Sequence, residues 1–213
     1  MNIIDLLQKI KKREKLQMPH KQEVEIKVCV DEEVFLRIKS KIKHEAEYTG
    51  QKKQNDVYFT PQNRNFMDEK YPYEWLSIRK RGEASILNYK HFYPEGAEKH
   101  SHCDEYEVHI DDSDALHNIF SSIGINNLIT VKKTRETYIL ENKYEVAFDI
   151  VEQLGHFIEI ELIESCSDAI DGKKLILNLL TNWGVSEQNI DHRGYPFLLY
   201  EKKNANASVS DIS

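Results

Sequence analysis

The stretch Glu23-Val24-Glu25-Ile26-Lys27 alternates charged and aliphatic residues. As a β-strand it puts Glu23, Glu25 and Lys27 on one face and Val24, Ile26 and Val28 on the other. Alone, this describes an ordinary half-buried strand with its charges in solvent. The pattern returns, however, at Glu105-Tyr106-Glu107-Val108-His109-Ile110 and at Phe157-Ile158-Glu159-Ile160-Glu161-Leu162. Three strands that each carry a Glu-x-Glu pair point to one shared acidic site.

The rest of the chain supplies more of the same element. After the first strand, Asp31 is placed to cap a helix over about residues 32–44, with Val34, Phe35, Ile38 and Ile42 as its apolar face. Strand character returns over 46–60, 75–81, 85–92, 105–110, 128–140, 143–151 and 156–164. Helices are predicted at 113–122, stopped by Gly124, and at 168–183; Tyr195–Tyr200 is a last short element. Hairpins outnumber strand-to-helix crossings, which argues for an antiparallel sheet. The stretch before Pro19 has helical spacing (Ile3, Leu6, Leu7, Ile10), so residues 1–20 form an expected helical extension and a candidate dimer element. A single domain is expected over 21–201, followed by a disordered tail over 202–213.

Composition narrows the ligand. A 40% hydrophobic and 31% charged chain of 213 residues is a globular protein with a real core. The net charge of −7 argues against general binding to nucleic acid or an anionic membrane, so an anionic ligand needs a local basic cluster. No apolar run reaches the length of a membrane span, and the N-terminus lacks a signal-peptide pattern. Cys29, Cys103 and Cys166 are odd in number and widely spaced, as in a reduced compartment. Cytoplasmic location is the expectation.

The charged faces of the strands collect acids (Glu23, Glu25, Glu105, Glu107, Asp149, Glu159, Glu161) and bases (Lys27, Arg79, Arg81, Lys90, Lys133, Arg135). An open sheet would turn these to solvent; a closed barrel would turn them inward, and eight strands can enclose one small ligand. So many buried charges are tolerable only with partners. Carboxylates without His or Cys select hard ions such as Mg²⁺ or Mn²⁺, and Arg and Lys suit phosphate oxygens. Among the histidines only His109 shares the charged face; the others are assigned to loops and surface. Trp75, Trp183 and Tyr195 are read as packing residues, and Arg193 as a residue at the mouth or on the surface.

These residues resemble the CYTH, or triphosphate-tunnel, superfamily, which includes class IV adenylyl cyclases, thiamine triphosphatases and inorganic triphosphatases. The matching pieces are Glu23-x-Glu25-x-Lys27, Asp56-Val57-Tyr58-Phe59, Leu76-Ser77-Ile78-Arg79 and Leu87-Asn88-Tyr89-Lys90, then Glu105-x-Glu107, Lys133-x-Arg135-x-x-Tyr138, and Asp149 through Glu161. The resemblance implies a mainly antiparallel α+β fold, an eight-stranded closed tunnel barrel with helices packed outside. It also implies that Glu23, Glu25, Glu159 and Glu161 hold Mg²⁺ or Mn²⁺ (two ions), with Glu105, Glu107 and Asp149 contributing. Lys27, Arg79, Lys90, Lys133 and Arg135 would grip phosphates, joined by Arg81, which lies one step past the motif. Glu25, Lys27, Lys90 and Glu161 are the expected catalytic residues.

Two departures bear on the activity. The family often has Arg where this chain has Ser77, and cyclase members carry His-Phe before the first motif, where this chain has Gln17-Met18. The first expectation is therefore metal-dependent hydrolysis of a small triphosphate (nucleoside, thiamine or inorganic). The alternatives are a class IV adenylyl cyclase making cyclic AMP and pyrophosphate, and a non-catalytic nucleotide or polyphosphate sensor.

Overall fold

The computed structural model describes residues 24–82, 84–100, 102–164 and 169–210. Glu23 and the expected N-terminal helix lie outside them. Eight strands run β1 Glu25–Val30, β2 Glu47–Pro61, β3 Glu74–Arg81, β4 Ala84–Tyr93, β5 His102–Ile110, β6 Ile125–Leu140, β7 Tyr144–Val151 and β8 Gly155–Leu162. Four helices accompany them: α1 Glu32–Glu45, α2 Ser113–Ser122, α3 Ala169–Asn182 and α4 Tyr195–Ser210. The Asp31 carboxylate accepts from the Val34 backbone N–H at 2.8 Å and so caps α1 as its sequence suggests. The last helix runs on to Ser210, into the stretch expected to be a disordered tail.

All eight strands form one antiparallel sheet in the order β1-β8-β7-β6-β2-β3-β4-β5. The closed barrel is not what is seen: β1 and β5 are the two edges, and they do not pair with each other. Other segments cover the seam. Ile190 makes an isolated bridge to Val28, the Asp191 N–H donates to the Lys27 carbonyl at 3.1 Å, and the Asn189 amide donates to the Cys29 carbonyl. These contacts take up the free edge of β1 without a further strand. On the other side, Lys173 of α3 donates to the His100 carbonyl just before β5.

The two faces of the sheet divide as the alternation requires. On the outer side Val24 just before β1, Ile26, Val28 and Val30 of β1 and Ile158 and Ile160 of β8 pack with Phe35, Ile38 and Ile42 of α1 and with Ile176 and Leu180 of α3. A smaller cluster joins Phe59 and Ile78 to Phe120 of α2. The start of α4 does something different. Tyr195, Phe197 and Leu199 pack with Tyr58, Trp75, Val131, Val151 and Phe157, all on the inner face, so this helix plugs the inside of the curved sheet.

Candidate functional site

In an antiparallel sheet directly paired residues share a face, and so do residues two apart. Following the register from Glu25 puts Lys27, Glu159, Glu161, Asp149, Lys133, Arg135, Arg79, Arg81, Lys90, Glu105, Glu107 and His109 on one inner face. Every described residue of the expected site is therefore on the same side. The same walk adds Gln54, Asp56, Ser77, Asn88 and Glu145. Asp56 was legible only as part of a motif, because β2 alternates weakly in charge.

The inner face encloses a cavity of about 660 Å³, the size of a pocket for a substantial small molecule. Nine Lys or Arg and five Asp or Glu line it among the described residues, so it attracts anions although the chain as a whole is acidic. Glu25, Lys27, Arg79, Arg81, Lys90, Lys133, Arg135 and Glu159 all border it. Glu161 sits opposite Glu25 on the sheet, beyond this lining.

Asp149 organises one wall. It is fully buried, and its carboxylate accepts from Lys133 Nζ at 2.8 Å, from Arg135 at 2.8 and 2.6 Å and from the Tyr195 hydroxyl at 2.9 Å. Burial alone would raise the Asp149 pKa; Lys133 and then Arg135 outweigh it and hold the group well below the usual carboxylate range. Arg135 reaches Glu159 at 2.9 Å as well. The Tyr195 ring lies beneath two ammonium groups, Lys27 at 4.5 Å and Lys133 at 4.8 Å from its centroid. Tyr195, read from sequence as packing, thus touches Lys27, Lys133 and Asp149, the acid that anchors Lys133.

The opposite wall is also paired. Arg79 lies 3.3 Å from both Glu105 and Glu107, Lys90 lies 3.4 Å from Glu105, and the Asn88 amide donates to both glutamates. Arg81 grips Asp56 in a two-pronged ion pair. Ser77 and Asn88 are fully buried neighbours across β3 and β4. The Ser77 hydroxyl, the Asn88 carbonyl oxygen and Arg79 Nε find no protein partner.

Metal-holding capacity differs among these acids. No three His, Cys, Asp or Glu side chains converge into a ready cage among the described residues. Asp149, Glu105 and Glu107 already face basic groups. Glu25 is different: burial raises its pKa, Lys90 opposes the rise, and the nearby Glu159 adds to it. A carboxylate beside a second carboxylate is a hard-oxygen pair whose charge a divalent ion would neutralise, so Glu25 fits that role, with Glu159, which Arg135 also holds, and Glu161 one pleat along.

Fold and site together define a curled eight-stranded antiparallel sheet whose inner face lines a charged cavity. The model of the CYTH domain family matches residues 21–195, and the chain belongs to that family. A Methanocaldococcus jannaschii protein named "Putative adenylate cyclase" is 30% identical over 181 residues, covering 81% of this chain and 95% of that protein. The PH1819 protein of Pyrococcus horikoshii is similar in structure, with a TM-score of 0.71, 30% identity, and coverage of 84% of this chain and 99% of that one. A Hippeastrum adenylyl cyclase homologue described as having a dominant triphosphatase activity shares the fold at 15% identity. Its TM-score is 0.59, with 85% of this chain and 95% of that one covered. No described helix is long and apolar enough to cross a membrane.

Proposed function

We propose that the protein is a divalent-metal-dependent phosphohydrolase that cleaves a triphosphate inside the tunnel. The observation that carries this reading is the register, which delivers both carboxylates and bases to one enclosed inner face. Glu25, Glu159 and Glu161, with Glu23 from outside the described residues, would hold Mg²⁺ or Mn²⁺. Bound there, the ion supplies charge neutralisation on phosphate oxygens and polarisation of the phosphorus. Lys27, Arg79, Lys90, Lys133 and Arg135 supply the phosphate grip, and phosphoryl transfer asks little more of a protein than positioning and charge. Asp149 fits a positioning part, since it holds Lys133 and Arg135 in place. Arg81 is committed to Asp56, which makes it a secondary contact.

Cyclisation of ATP is the second reading, favoured by the name of the Methanocaldococcus jannaschii relative. The lining gives it less support, because its largest aromatic ring, Trp75, is buried. Trp75 is buried edge-on against Tyr58, and Phe92 is covered by the His100 ring at 5.1 Å. The purified protein, given tripolyphosphate, thiamine triphosphate or ATP with each metal, separates the readings. Orthophosphate release supports hydrolysis; cyclic AMP with pyrophosphate means cyclase; tight binding without turnover means a sensor.

A further inference from the structure

The face of α3 that carries Ile170, Lys173 and Leu177 looks into the cavity, on the seam between β1 and β5. There Lys173 meets the β4–β5 connection, which contributes Lys99 and His100, and the segment before α4, which contributes His192. None of these residues belongs to the inner face of the sheet. His100 Nε2 is buried and has no hydrogen-bond partner in the protein. Such an atom takes its hydrogen-bond partner from outside the protein, a water or a bound ion. The groups facing His192 are mostly cationic: Lys173 and Lys99 depress its pKa after burial does, with Asp191 and Glu98 opposing. Burial, then His192 and Lys173, likewise depress His100.

This cluster lies close enough to Glu25 for Lys173 to feel its charge, across the cavity from the Lys133–Arg135 wall. A phosphate chain held on that wall would run toward it. We infer that Lys99, His100, Lys173 and His192 form a second anion subsite at the seam, which takes the phosphates of a linear polyphosphate longer than three units. Lys99 and Lys173 supply the charge, while the His100 and His192 rings, biased toward the neutral form, can each donate one N–H to a phosphate oxygen. The inference rests on the proposed phosphate-binding function, and deepens it by naming the substrate class.

The test is calorimetric binding of sodium tripolyphosphate and of a size-fractionated longer linear polyphosphate to the full-length protein without metal, followed by turnover with Mg²⁺. The wild type is expected to prefer the longer chain. Lys173→Ala, and separately the double variant Lys99→Ala/His192→Ala at exposed positions, should each cut that preference about tenfold, the loss of one or two charge-assisted contacts. Lys41→Ala, on the far surface of α1, should leave it alone. Equal affinity for both chains in the wild type, or a preference untouched in both seam variants, overturns the inference while leaving triphosphate hydrolysis standing. A seam-dependent preference with no phosphate release upholds the subsite and rejects the hydrolase instead.

Discussion

Asp149 shows how a single side chain can set the geometry of a binding wall. It spends its oxygens on Lys133, Arg135 and Tyr195, so removing its charge strands two buried cations. Asp149→Asn should cost about 3–5 kcal/mol in a urea titration, the usual penalty for breaking a buried ion pair. The pH dependence follows from the sign of the shift. The folded pKa lies below the unfolded one, so the stabilisation is complete at neutral pH and drains away as pH falls below about 4. The wild type should therefore lose stability on acidification more steeply than Asp149→Asn, as followed by circular dichroism. Equal slopes would mean that Asp149 is not the anchoring charge. The sequence made this residue visible as an acid on a charged face, yet its partnership with Tyr195 was hidden. That contact joins β7 to a helix 46 positions later, and no local pattern encodes it.

At the scale of elements, strand period carried most of the information. Alternation fixes which side chains share a face, so β1, β5 and β8 could be oriented from sequence, and their register then confirms the shared side. Closure was not legible, because alternation is the same in an open curled sheet and in a barrel. What fills the seam here is the 189–191 segment along β1 and α3, whose Lys173 reaches the His100 carbonyl just before β5. The seam cluster was not legible either, because His100 and His192 sit in connections without a period and were placed only in loops or on the surface. The approach of α3 depends on Gly172. A β-carbon there would come within 3.0 Å of Val24 Cγ1 and 3.1 Å of Leu162 Cδ2. Gly172→Val should destabilise the protein by about 1–3 kcal/mol through overpacking, read as a lower midpoint in thermal denaturation. An unchanged midpoint would show that α3 is not packed as tightly as its contacts imply.

For the whole molecule, the main fact is the reversal of charge between exterior and interior. A chain of net charge −7 encloses a cavity whose lining, among the described residues, carries more Lys and Arg than Asp and Glu. Such a lining favours an anionic ligand over a cationic one. Membership in the CYTH family agrees with it. The central claim, hydrolysis at a terminal phosphorus within the tunnel, is most directly tested by turnover of tripolyphosphate in ¹⁸O-labelled water with Mg²⁺ or Mn²⁺, with products resolved by mass spectrometry. Attack of water on the terminal phosphorus puts the label in the released orthophosphate and leaves the pyrophosphate unlabelled. Label in the pyrophosphate, or no turnover of tripolyphosphate beside cyclic AMP formed from ATP, would contradict it.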